Sequence, residues 1–241
     1  LAAGWYMNNQ CRGIHGWNDV SNTADTGRFL YSFAPATGET VANCIWGQGV
    51  GIMGLLACAQ RLRPSRLDAG FAEGCRKSAL AAAGYMLTLQ ILDQRDERLF
   101  GAFRQSDPQR MLGNPRDGAT GCMGLCVLYK ETRDEEYLYR ARIWADWYMR
   151  QAMNQDGWPS YTYHFDRREG EWREPGLWQA GAALAFYYLY RLTGERRYIE
   201  EGIKPLMAGI KRWFNDAIGM DEIGQDDFAS TAALGACLLY E

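Results

Sequence analysis

Three carboxylates and one imidazole stand where they can do chemistry. Asp117 opens a Gly- and Cys-rich segment, DGATGCMGLCVLYK, and the adjacent pair Asp226–Asp227 opens another, DDFASTAALGACLLYE. Two carboxylates facing one pocket are what glycosidic bond hydrolysis requires, one as proton donor and one as base or nucleophile. The competing reading is capping, in which a carboxylate accepts a backbone N–H at a helix start. A helix start takes one cap, so the second member of Asp226–Asp227 is open to other work. His164, in YTYHFD, lies off any apolar helical stripe. Beside Tyr161 and Tyr163, a neutral imidazole there suits proton abstraction next to a carboxylate, the chemistry of lyases and epimerases. A hydrogen-bonded loop histidine is the alternative reading, and His15 carries less weight still.

Around these groups stand Trp17, Trp46, Trp158 and Trp178, with Tyr161 among them. Exposed aromatics beside acids suit sugar rings, whose C–H faces are apolar and whose edges are polar; a structural plug of large aromatics is the alternative. Gln48 in WGQG and Gln179 in WQAG occupy matching positions and suit hydrogen bonding to hydroxyls. Arg116 is placed to hold a substrate carboxylate. The expected ligand is an oligosaccharide, with no cofactor and no metal: two histidines and no CxxC make a Cys/His zinc site a poor fit.

The elements that must position these residues repeat. WGQGVGIMGLLACAQ, DGATGCMGLCVLYK, WQAGAALAFYYLYR and FASTAALGACLLYE align on their closing apolar pair, so Trp46, Asp117, Trp178 and Phe228 fall in register. Each is a helix rich in small residues, followed after a short joint by a second helix. The expected pairs run from 46 into 65–92, 117–132 into 135–154, and 176–192 into 195–215. The joints TRDEEYLYRA and TGERRYIEEG are near copies. The return connections are long, about 11–40, 93–116, 156–175 and 217–227, and connections of that length are usually functional. GRFLYSFAPATGE reads as two short strands about a turn, and WPSYTYHFDRREGEW as two more with RREG as the bend.

Small residues let helices approach closely, so the Gly/Ala-rich set forms an inner ring and the charged partners an outer one. The expected fold is all-α, an α/α toroid of helical hairpins with short β-hairpins on one face, in a single domain over 1–241. Four hairpins are fewer than a six-hairpin ring needs, so either the barrel is incomplete or the chain is part of a longer one. All inner-helix N-termini then share the loop face, where free amides favour acidic ligands. Gly47, Gly49 and Gly51 spell GxGxG with no preceding strand, which points to close packing and not to dinucleotide binding.

With 241 residues, nearly half of them apolar, the chain is globular. A net charge of −3 gives no basic footprint for nucleic acid, and the longest apolar runs are too short for a membrane span. Of seven cysteines, Cys58, Cys122, Cys126 and Cys237 sit in apolar helical patterns as small hydrophobes. Cys11 and Cys44 lie near loops, where pairing is open to them. A reducing, cytoplasmic compartment is the expectation.

WGQGVGIMGLLA resembles the inner-helix motif of unsaturated uronyl hydrolases, and DDFASTAALGACLLYE is similar to a late inner helix of the same enzymes. GRFLYSFAPATGE and TGERRY resemble repeat elements of toroid sugar enzymes, including the N-acylglucosamine 2-epimerase group. The resemblance is therefore to the six-hairpin glycosidase superfamily. It implies a glycoside hydrolase acting on an acidic or uronate-containing oligosaccharide. A lyase or epimerase of the same fold is the second expectation, and a non-catalytic glycan-binding domain the third.

Overall fold

A computed structural model of the chain describes residues 2–11, 26–34, 36–37, 39–62, 69–172 and 181–209. Three of the four expected inner helices appear as α2 (Ile45–Leu62), α4 (Pro115–Thr132) and α6 (Gly181–Thr193); the fourth, expected from Phe228, lies outside the described residues. The outer set is α1 (Ala2–Asn8), α3 (Ala69–Thr88) and α5 (Glu135–Trp147), the last running into a π-turn at Tyr148–Ala152. A further π-turn, Tyr198–Ile203, stands in the third outer position. The predicted extension of α3 to Leu92 fails. Beyond Thr88 the backbone turns to extended partners: Ile91 N donates to Ala102 O and Arg104 N to Leu89 O. Of the apolar side chains along α3, Ala79, Ala83 and Met86 are buried and Phe71 is exposed.

Pairs of contacts give the helix directions. Cys44 meets Asp117, Thr120 Oγ1 donates to the Trp46 carbonyl at 3.1 Å, and Gln60 Nε2 donates to Glu131 at 3.3 Å. Both numbers rise together, so α2 and α4 run parallel. Between α4 and α5 they oppose: Gly118 lies against Trp144, and Cys122 against the Ala141 carbonyl. Parallel inner helices with antiparallel outer partners are the expected toroid layering. Small residues make the inner contact possible. A Cβ on Gly49 would sit 2.2 Å from the Thr120 carbonyl oxygen, so nothing larger fits without moving α2 from α4. The GxGxG run is thus packing, as expected.

A second repeat, missed in the sequence, ties each outer helix to the next. Gln10 Nε2 donates to the Gly27 and Ser78 carbonyls, both at 2.8 Å. Gln90 Nε2 donates to the Gly101 and Arg140 carbonyls, both at 3.0 Å. Gly27 (φ 94°) and Gly101 (φ 97°) press on the next outer helix; an added Cβ would lie 2.0 Å from the Ala81 carbonyl oxygen and 2.1 Å from that of Ile143. Gly157 (φ 75°) repeats the contact at Pro205, 2.1 Å away. There Met153 replaces the glutamine, and Asn154 Oδ1 accepts from the Asp156 and Trp158 amides instead. Within the core, Trp144, Tyr148 and Phe186 fill the joint of α5 and α6 with ring centroids 5.1–5.9 Å apart.

Among the described residues two small sheets lie in the loops. β1 (Leu30–Ala34) and β2 (Glu39–Ala42) form the expected hairpin. β4 (Thr162–His164) and β5 (Glu169–Glu171) form the other, joined by β3 (Leu112–Gly113) from a different loop. Its bend is 165–168 and not RREG, because Arg168 itself takes the left-handed conformation (φ 54°). Among the described residues no helix is long and apolar enough to cross a membrane.

Candidate functional site

α4 begins two residues before Asp117. Asn114 is its N-cap, its side chain accepting from the Arg116 amide at 3.1 Å, and Pro115 supplies the preset φ of a first helical residue. The capping reading of Asp117 therefore falls: Asn114 does that work, and the Asp117 carboxylate is left for the interior, 3 % exposed. Its Oδ1 accepts from Arg116 Nε at 3.0 Å. Its Oδ2 accepts from Gln105 Nε2 at 2.5 Å and faces Cys44 Sγ at 4.0 Å. Asp117 is thus held as a hydrogen-bond acceptor, with Arg116 and Gln105 donating to its two oxygens.

Gln105 is held for this role by its backbone. The Gln105 amide donates to the Leu112 carbonyl, the Gln105 carbonyl accepts from the Ile45 amide at the start of α2, and Tyr85 Oη donates to the next carbonyl, Ser106, at 2.6 Å. Sequence reasoning missed Gln105 because it reaches the site through a loop with no register signal. Cys44 was read only as a free or paired thiol. It is a free thiol, as is the buried Cys11. Burial pushes the Cys44 thiol pKa up, and the Asp117 charge pushes it further.

Gln48 lies one turn beyond Cys44, which immediately precedes α2 and whose carbonyl accepts from the Gln48 amide at 3.1 Å. It is fully buried, and neither its Oε1 nor its Nε2 has a hydrogen-bond partner. Gln105 Oε1 is buried and unpartnered as well. Such unpartnered carboxamide atoms are unusual, since buried polar side chains are normally paired. Trp46 stands at the rim, 41 % exposed.

The other candidates divide. His164 is part-exposed on β4, with Nε2 3.4 Å from Glu171 Oε2 across the hairpin. Tyr161 and His164 lie at half-buried positions, whereas Tyr163 alternates to the core face and donates its hydroxyl to the Arg168 carbonyl at 3.0 Å. Tyr163 thus leaves the expected His–Tyr group. Trp158 is a correction: expected to be an exposed stacking residue, it is 8 % exposed, its ring packed on Gly209. Arg116, expected to be available to a substrate carboxylate, gives its Nε to Asp117. Trp17, Trp178, Gln179, Asp226 and Asp227 lie outside the described residues. Among the described residues no three His, Cys, Asp or Glu side chains are grouped to hold a metal.

No protein-family model matches the sequence, and no curated protein matches it. Solved structures do. A variant of an α-1,6-mannanase from Salegentibacter sp. HEL1_6, in complex with α-1,6-mannotriose, superposes with a TM-score of 0.51 at 14 % identity, covering 70 % of this chain and 47 % of that one. The cellobiose 2-epimerase of Spirochaeta thermophila gives 0.53 at 14 % identity, covering 70 % and 42 %. This chain thus spans less than half the length of either. The likeness is one of fold: this chain has the α/α toroid layering of helical hairpins seen in both of these enzymes.

Proposed function

We propose that this chain forms part of a carbohydrate-active enzyme, a glycoside hydrolase whose oligosaccharide lies across the N-terminal ends of the inner helices. The observation that carries this reading is the buried Asp117–Gln105 pair, with the unpartnered Gln48 one turn along from Cys44, which itself faces Asp117. Leaving a buried polar group unpaired costs about 1–3 kcal/mol. A hydroxyl-rich ligand recovers that cost at Gln48, while Asp117 offers a fixed negative charge. Trp46 at the rim supplies a stacking face, and Trp17, Trp178 and Gln179 are proposed beside it.

The proton donor is proposed to be one of Asp226–Asp227, since the bonding of Asp117 makes it an acceptor. The mannanase relative supports this choice: its variant in which two adjacent aspartates are replaced by asparagine is inactive. Asp226–Asp227 is the only adjacent aspartate pair in this sequence. For substrate, inner-helix amides favour an acidic or uronate-containing sugar; the engagement of Arg116 Nε by Asp117 makes a neutral sugar a direct competitor. An epimerase or lyase is the second reading, and the His164–Glu171 pair supports it as an oriented base.

The test is product release from a panel of saturated and unsaturated oligouronides and α-1,6-linked manno-oligosaccharides. Hydrolysis that is lost in Asp227→Asn or Asp226→Asn and retained in His164→Ala is the expected result. Epimerised or eliminated product that depends on His164 would move the assignment to the second reading. No turnover of any sugar would remove the enzyme reading.

A further inference from the structure

Two free thiols meet across the first helical hairpin. Cys58 lies one turn before the end of α2, and Cys75 lies in the second turn of α3. The two helices are level at this height. Gln60 of α2 and Arg76 of α3 both donate to the Glu131 carboxylate of α4, at 3.3 and 3.4 Å. Ala59 of α2 and Ala72 and Arg76 of α3 wall one cavity of about 140 Å³. The neighbours of each cysteine thus converge from opposite sides. Between them, the Cys75 thiol is hydrogen-bonded to the Cys58 sulfur. Contact between the sulfurs is the first geometric condition for a bridge.

A cysteine in a helix usually serves as a small buried hydrophobe, and that accounts for Cys75, which is fully buried. It does not account for Cys58, which is only half-buried. The cavity beside the pair reaches the surface, since Ala69 and Glu73, which also line it, are exposed. A water molecule takes up about 30 Å³, so a molecule the size of hydrogen peroxide fits there. Burial and the adjacent Cys58 sulfur push the Cys75 thiol up to about 11, so Cys75 keeps its proton at neutral pH. By access, Cys58 is the sulfur that an oxidant in solution meets first. Cys122 on α4 is the contrasting case: it is fully buried, and its Sγ donates to the Ala141 carbonyl at 3.8 Å.

We propose that Cys58 and Cys75 form a reversible disulfide when the protein meets hydrogen peroxide, stapling the inner helix α2 to its outer partner α3. The Cys58 sulfur, as thiolate, attacks one peroxide oxygen. The O–O bond breaks, leaving a sulfenic acid on Cys58 and a hydroxide that takes up the proton Cys58 gave. The Cys75 sulfur then attacks the Cys58 sulfur. The S–O bond breaks, and the departing hydroxide leaves as water with the Cys75 proton. Two thiols are thereby oxidised to one disulfide, and one peroxide is reduced to two waters. A dithiol reductant reverses the link by exchange. The link closes a loop of about seventeen residues, which restricts the unfolded chain and stabilises the folded one. This inference does not depend on the glycosidase reading, because the thiols alone are measured.

The test is peptide mapping. The full chain, without denaturant, is treated with hydrogen peroxide, its remaining thiols are alkylated, and non-reducing digests are read by mass spectrometry. A linked peptide pair carrying Cys58 and Cys75, lost on treatment with dithiothreitol, is expected, with Cys122 still a free thiol. The oxidised protein should unfold in urea at a midpoint about 1 M above that of the reduced protein. Cys58→Ser should abolish both the link and the rise in midpoint. Cys75→Ala should leave Cys58 as a sulfenic acid, trapped by dimedone; circular dichroism checks that both variants fold. Cys58 oxidised to sulfinic or sulfonic acid with Cys75 unlinked, a link between other cysteines in place of this one, or a link that forms only once urea unfolds the chain overturns the proposal.

Discussion

Gly101→Ala is the sharpest test of how the ring is held together. The new Cβ would lie 2.1 Å from the Ile143 carbonyl oxygen, well inside any contact a real Cβ makes, so the loop and α5 must separate by about an ångström. Such overpacking costs roughly 1–3 kcal/mol. Holding an alanine at φ 97° adds about 1–3 kcal/mol more. Together these give a loss of about 2–6 kcal/mol, a large share of the 5–15 kcal/mol typical of a domain. In urea unfolding followed by circular dichroism, the midpoint should fall by about 1–3 M, for a slope of about 2–3 kcal/mol/M. Gly84→Ala is the matched control. Its position is exposed within α3, with nothing within 4 Å of the new Cβ. It should stabilise by about 0.5–1 kcal/mol through helix propensity alone. A Gly101→Ala midpoint at or above that of the parent would refute the reasoning.

Gln90→Met mimics the third repeat and should destabilise by about 1–3 kcal/mol in the same assay, since the Gly101 carbonyl loses its side-chain donor. Asn114→Ala removes the cap of α4 and should cost about 1 kcal/mol, read as a lower unfolding midpoint. Asp117→Asn removes a negative charge beside Cys44, which lowers the thiol pKa and raises the thiolate fraction at a fixed pH near 8. Mass-spectrometric alkylation rates at Cys44 should therefore rise in that variant, and a fall would contradict the placement of the carboxylate.

Three inner helices, α2, α4 and α6, were legible because small residues and register are local signals. The start of α4 was placed two residues late by aligning on Asp117, although Asn114–Pro115 is itself a readable cap-and-first-turn signal. The outer-ring lock was hidden by variable spacing: Gln10 reaches Gly27 across 17 residues and Gln90 reaches Gly101 across 11. The Gln105–Asp117 bond depends on how a loop folds back onto α2, which no periodicity encodes. Trp158 was misjudged because a loop tryptophan gives no sign of whether a helix covers it; here Gly209 does. Arg168, rather than a glycine, takes the left-handed turn position, which shifted the bend of the β4–β5 hairpin.

The central claim is that Asp117 and the Asp226–Asp227 pair serve one hydrolytic site. The most direct measurement is the hydrolysis rate on the best oligosaccharide of the panel for the parent, Asp117→Asn, Asp226→Asn and Asp227→Asn. Loss of about 10²-fold or more in Asp117→Asn and in at least one of the pair, with folding intact, is the predicted result. Hydrolysis at the parent rate in Asp117→Asn, or in both substitutions of the pair, would contradict it.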